Sequence, residues 1–273
     1  MVVLKKILDF YINSSLHVAF SAFALVSMTQ FFVGINAGLE VALFAFFGTV
    51  VGYNFVKYDA LARLNKMEIK NELKGIVFLS FISALACGYF FLQLSTFTKM
   101  SAFAFLGLTL LYTLPFFPNK QNARNWKGIK IYIVSITWVG VTVLLPMLEA
   151  KISFSVDVLL MAIQRFLLVF SLILVFEIVD VKFDDPHLQT VPQKIGVEQT
   201  KKLGYLLLFL LLALELFYTN HHHFLPFFFK LLVCIAIAFF LYFANENRSR
   251  YYASLWVESV PILWWLVLIF LEK

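Results

Sequence analysis

Residues 155–177 read SVDVLLMAIQRFLLVFSLILVFE. From Val158 to Phe176 the polar side chains are Gln164, Arg165 and Ser171, and no glycine or proline interrupts the run. At a rise of about 1.5 Å per residue, a helix of this length crosses the roughly 30 Å hydrocarbon layer of a bilayer. No soluble domain offers a helix this apolar on all sides enough interior to hide in. Working outward, the same cut at polar clusters gives eight further candidates. The full set is 15–36, 39–58, 73–94, 98–117, 129–149, 155–177, 201–219, 224–244 and 253–271.

Composition agrees. The chain has 273 residues, 62% hydrophobic and 14% charged, with mean hydropathy +0.87. Soluble domains are about half apolar and about a quarter charged. A soluble enzyme, a nucleic-acid module, a disordered tail protein and a disulfide scaffold are thereby excluded. The expectation is an all-α polytopic membrane protein: one membrane domain over 1–273, with nine transmembrane helices around a central cavity. Residues 2–13, VVLKKILDFYIN, are too short to span. They suit an amphipathic helix on the membrane surface, so 1–14 is expected to be interfacial.

The net charge of +6 is an orientation signal rather than a nucleic-acid footprint, and no nucleic-acid partner is expected. With the N-terminus inside, seventeen of the 22 Lys and Arg fall in inside segments. Lys99, Lys151, Lys230 and Lys273 fall outside, and Arg165 lies within a span. A missed or extra helix would scramble that alternation. Met1–His17 shows no small-residue cleavage site and does not read as a signal peptide. Cys87 and Cys234 sit in apolar runs and read as small buried side chains.

The sixth span ends in EIVDVKFDD, residues 177–185. Glu177, Asp180 and Asp184 are spaced i, i+3, i+7, on one helix face over roughly 10 Å of axis. Stacked carboxylates repel unless a cation sits among them, and oxygen-only ligands suit Mg²⁺, which also binds substrate phosphates. A solvated acidic helix end is the alternative, disfavoured because a helix C-terminus repels negative charge. QTVPQKIGVEQTKKLGY follows over 189–205.

Together these two stretches resemble the second aspartate-rich region of the UbiA superfamily of intramembrane prenyltransferases, D-x-x-D-x-x-x-D followed by a T-L-P-x-x-x-G-like segment. Nine spans, an inside N-terminus, a surface helix before the first span, and Leu111-Tyr112-Thr113 closing the fourth span ahead of a basic loop also match. The resemblance implies transfer of a prenyl chain from a prenyl diphosphate to an aromatic or lipid acceptor at a cytoplasm-facing site, with Mg²⁺ as cofactor. It implies Glu177, Asp180 and Asp184 as metal ligands, with Asp180 and Asp184 in the catalytic role. Asn54, Lys57, Tyr112, Arg124 and Lys182 are implied to bind substrate. The partners implied are membrane lipid, a prenyl diphosphate and a lipophilic acceptor, and the location is a membrane of the bacterial inner-membrane type.

The family's first motif, N-D-x-x-D-x-x-x-D, aligns on Asn54. Its acidic positions fall on Phe55, Tyr58 and Ala62, and Asp59 is one residue out of register, about 100° around the helix from Tyr58. The family's basic residue four after the fourth-span tyrosine is replaced by Phe116. The metal site would therefore rest on the sixth span almost alone. Lys57 and Lys182 read either as phosphate ligands or as cations snorkelling to headgroups, and Arg124 and Lys127 divide the same way. A non-catalytic relative that binds an isoprenoid or anionic lipid, or assists complex assembly, is the second reading. A transporter would show paired broken spans, and Pro146 and Pro261 do not correspond.

Arg165 is a buried cation at membrane depth, a position that is costly and usually functional. In a hairpin of spans six and seven it falls within one turn of Glu215, so a structural Arg165–Glu215 pair is expected. His221-His222-His223 read as a polar loop. A topology reporter fused after Lys273 is expected to report the extracytoplasmic side; a cytoplasmic signal would contradict the nine-span alternation.

Overall fold

The computed structural model describes residues 2–63, 71–113, 128–218 and 224–271, and the apolar runs within them are helices. The order is α1 (Val2–Asn13), α2 (Leu16–Val33), α3 (Gly38–Arg63), α4 (Asn71–Gln93), α5 (Thr96–Thr113), α6 (Lys130–Val139), α7 (Leu145–Glu149), α8 (Val156–Asp180), α9 (Val191–Ile195), α10 (Val197–Ala213), α11 (Phe224–Phe243) and α12 (Val260–Leu271). A π-helical turn, Gly140–Leu144, joins α6 to α7 in one rod, and a second, Tyr252–Val257, precedes α12. Among the described residues there is no strand.

Six segments are long and apolar enough to cross a membrane: Leu16–Val33, Gly38–Tyr58, Leu73–Gln93, Lys130–Glu149, Val156–Asp180 and Tyr252–Phe270. The protein is thus a multi-pass helical membrane protein. Thr96–Leu110 and Phe227–Phe243 are shorter apolar helices. The run expected over 201–219 is α10, extended by a 3₁₀ turn over Leu214–Phe217.

The outer faces fit lipid. On α4, Phe78, Phe81, Leu85, Tyr89 and Leu92 are each at least 62% exposed. A contiguous apolar stripe of that kind is not sustained in water. On the inner faces, Leu25, Met28, Leu174, Ile178, Ile237 and Leu241 are fully buried in one cluster. Antiparallel neighbours pack in sequence, α2 on α3, α3 on α4, α6 on α8, α8 on α10 and α10 on α11, and α12 closes back onto α2.

Near the middle of the bundle, α8 is fastened to two other elements by Arg165. Its Nη1 donates to Leu25 O at 3.0 Å and to Thr142 Oγ1 at 3.1 Å, and its Nη2 donates to Thr29 Oγ1 at 3.2 Å. Thr29 Oγ1 donates in turn to Thr142 O at 2.6 Å, and Thr142 Oγ1 to Trp138 O at 2.7 Å. The π-turn puts Thr142 in this position, since an i→i+5 turn disrupts the regular carbonyl ladder and frees acceptors. At the head of that turn Gly140 admits the Phe105 ring of α5, because a Cβ there would meet a ring carbon at 2.1 Å.

The expected Arg165–Glu215 pair does not form. Glu215 Oε2 instead accepts from Lys230 Nζ at 2.5 Å and from Gln164 Nε2 at 2.8 Å. The reason is rotation. One residue is 100° around a helix, so Gln164 faces α10 while Arg165 turns toward α2 and the α6–α7 rod. Cys234 is buried and Cys87 partly so, both unbridged.

The α1–α2 corner forms a second fixed point. Ser15 adopts φ 62°, a left-handed conformation uncommon for a non-glycine residue, and α1 ends just before it. The end of α3 takes up the carbonyls orphaned there. Asn54 Nδ2 donates to Ser14 O at 3.0 Å, Tyr58 OH to Asn13 O at 3.0 Å, and Lys57 Nζ to Ser15 Oγ at 3.0 Å and Ile12 O at 3.4 Å. His17 Nε2 lies 2.9 Å from Leu255 O, which can only accept, so Nε2 carries the proton and Nδ1 accepts from Tyr11 OH at 2.9 Å. Asp9 is tied to Tyr251 and, at 2.6 Å, to Arg250. The Tyr251 hydroxyl first, and then Arg250, hold the Asp9 carboxyl below its ordinary 3.8, so this tie is lost only as pH falls through that lowered value.

Removing one partner of the Lys230–Glu215 pair should strand the other's charge. Lys230→Met is expected to cost about 3–5 kcal/mol, and adding Glu215→Leu should recover most of it. Reversible unfolding in mixed micelles measures the cycle; strictly additive losses would show that the two charges do not depend on each other.

Candidate functional site

The acids of α8 stand at its C-terminal end, beside the 181–190 loop and the start of α6. Glu177 is 2% exposed, and its Oε2 accepts the Val191 N–H at 3.0 Å. That carboxylate thus caps α9, on a donor left open by the first helical turn. Asp180 is half-buried, and its carbonyl closes the turn by accepting from Phe183 N at 2.8 Å and Asp184 N at 2.9 Å. The turn brings Asp184 back beside Asp180. Lys130, the first residue of α6, lies near enough for its charge to act on both Glu177 and Asp180.

The loop after α8 is built from its own sequence. Asp185 Oδ1 accepts from His187 N at 2.9 Å, starting the 3₁₀ turn Pro186–Leu188. Gln193 Oε1 accepts from Thr190 N at 3.0 Å, while Gln193 Nε2 donates to Asp184 O at 3.2 Å. Pro192, at the second position of α9, has no N–H to leave unpaired. The segment before α6 docks on this loop, with Gly128 N donating to Leu188 O at 3.0 Å. Gly128 has φ +70°, and a Cβ there would meet Lys194 Nζ at 2.8 Å, so no other residue fits without displacing that lysine.

One acceptor oxygen in this loop, Asp184 Oδ2, is buried without a hydrogen-bond partner, while the Thr190 side chain caps α9 by facing the Gln193 backbone N–H. A carboxylate oxygen such as Asp184 Oδ2 is costly to leave unpaired and suits a cation. Asp180 and Asp184 therefore have the oxygen-only chemistry that Mg²⁺ takes. Glu177 is already committed to α9. Consistent with that, among the described residues no three Asp, Glu, His or Cys groups converge in a metal-binding arrangement.

The remaining residues singled out from the sequence lie elsewhere. Asn54 and Lys57 are bound into the α1–α2 corner. Asn54 Oδ1 is buried there without a partner. Lys182 reaches the other way, to Asn247 Oδ1 at 2.7 Å and Glu246 Oε1 at 3.1 Å beyond α11. Arg124 and His221–His223 lie outside the described residues, as do the side chains of Tyr112 and Asp59. Lys130 was legible only as one more inside cation; nothing in its local sequence tied it to α8. Thr190 lies within the 189–205 motif, and its side chain caps α9.

No family model, no curated protein and no solved structure matches this chain.

Glu177→Ala should leave Val191 N–H unpaired in a buried place, costing about 1–3 kcal/mol locally. Hydrogen exchange read by mass spectrometry is expected to speed up over 186–196 while α8 stays protected. Unchanged exchange there would show that Glu177 does not anchor α9.

Proposed function

We propose that the protein is a UbiA-like intramembrane prenyltransferase, with nine crossings, a cytoplasmic N-terminus, and its site at the cytoplasmic end of α8. The observation that carries this reading is the pairing of Asp180 with Asp184, whose Oδ2 is buried without a partner, beside Lys130 at one end of a membrane helix bundle. With a divalent cation bound between its acids, a mouth of this kind suits a substrate with a diphosphate head and an apolar tail. The motif order over 177–205 supports the same reading.

In the reaction, the allylic C–O bond of the prenyl diphosphate breaks and its electron pair leaves with the diphosphate. The acceptor forms a new bond to the prenyl carbon and gives up a proton. A bound Mg²⁺ would supply charge neutralisation for the departing diphosphate. Asp180 and Asp184 would hold that ion, and Lys130 would offer the diphosphate a direct cation. Glu177 would position α9 and with it Thr190. Asn54 and Lys57 serve the α1–α2 corner in this scheme and do not touch substrate. The acceptor is an aromatic or lipid molecule that reaches the site from the bilayer.

The alternative is a non-catalytic helix bundle of the same kind that binds an isoprenoid or anionic lipid. The commitment of Glu177 to α9 and the out-of-register Asp59 favour it. Purified protein in nanodiscs, with Mg²⁺, radiolabelled prenyl diphosphates and mixed acceptors, separates the two. The transferase reading expects Mg²⁺-dependent label in the lipid fraction and a loss on the order of 10²–10³-fold in Asp180→Ala. Label transfer absent from wild type with every donor and acceptor would leave the binding reading.

A further inference from the structure

Beside Arg165, a cavity of about 30 Å³ lies between α2, α8, α10, α11 and α12, lined by Phe32, Gln164, Arg165, Lys230, Cys234 and Trp264 among others. Its polar lining is rich in donors. Trp264 is 9% exposed, and its Nε1–H is buried without a partner. Arg165, 6% exposed, spends three of its N–H groups on Leu25, Thr142 and Thr29. A guanidinium carries five, so two are left. Lys230 donates to Gln164 Oε1 at 3.2 Å and to Glu215 Oε2, and its ammonium lies 4.9 Å from the Tyr218 ring centre.

The charges around the cavity do not balance. Arg165 and Lys230 are two cations, and Glu215, committed to Lys230, is the one carboxylate that contacts either of them among the described residues. Asp157 stands at the start of α8, two turns above Arg165, and acts on Tyr218. An unneutralised guanidinium in the interior of a membrane bundle is costly. Orphan donors, a positive excess and room for one water-sized body point to the same occupant. We propose that this cavity binds one small monovalent anion of halide size, held by Arg165, Lys230 and the Trp264 indole N–H. The proposal does not depend on the transferase reading, since the cavity and the α8 acids lie toward opposite ends of α8.

The test is thermal unfolding in phosphatidylcholine nanodiscs as sodium chloride replaces sodium gluconate at constant ionic strength. Wild type is expected to show a saturable rise in Tm. Trp264→Phe keeps the ring and removes only the N–H, and should shift the chloride midpoint upward about tenfold, the loss of one hydrogen bond to a charge. Trp265→Phe, at the neighbouring position, should leave the midpoint where it is. A bromide-soaked crystal should give an anomalous peak in the cavity. A Tm independent of the anion, equal midpoints in the two tryptophan variants, or density without anomalous signal (a water) would each overturn the proposal.

Discussion

A single guanidinium holds the middle of this bundle together. Helices in lipid gain little from apolar contact alone, because the acyl chains are as apolar as leucine, so polar bonds between helices carry much of the specificity. Arg165 bonds to α2 and to the π-turn of the α6–α7 rod, and Thr29 and Thr142 complete the triangle. No carboxylate takes part among the described residues. The charge is met by a carbonyl and two hydroxyls, which fixes the rotation of α8 more tightly than a flexible ion pair would. That rotation sends Gln164 to α10, and about three turns further along it sets where Glu177 and Asp180 point.

The acidic mouth follows from this setting. Glu177 captures the start of α9, Gln193 captures the turn after α8, and Gly128 brings the start of α6 against the same loop. Lys130 reaches the acids by that docking. The α1–α2 corner has its own anchor, where the end of α3 satisfies its carbonyls. The two anchors engage different residues: Lys57 and Asn54 bond to the corner, while the Asp180 carbonyl closes the turn after α8.

Much of the fold was legible because lipid imposes a simple rule. A run such as 155–177 has no soluble alternative, and the helix bounds of α8 fall within a few residues of it. The 2–13 helix was legible for a similar reason, being amphipathic and too short to cross. What the sequence could not show was rotation. Arg165 and Glu215 are at compatible depths, yet one residue of phase assigns Glu215 to Lys230 and Gln164. The π-turn at Gly140 was also hidden, since it answers to Phe105 on another helix. At the candidate site, the i, i+3, i+7 acids were legible as one stripe. Their division of labour was not, because the capping role of Glu177 depends on where the 181–190 loop returns. Lys130 and Thr190 acquire meaning only from that return.

The central claim is that Asp180 and Asp184 form a cation-dependent diphosphate site. Its most direct test is calorimetric binding of a non-cleavable prenyl thiodiphosphate to the purified protein, with and without Mg²⁺, in wild type and in Asp184→Asn. Binding is expected to require Mg²⁺ in wild type and to be lost in the variant. Equal affinity with and without the metal, and in both proteins, would contradict it.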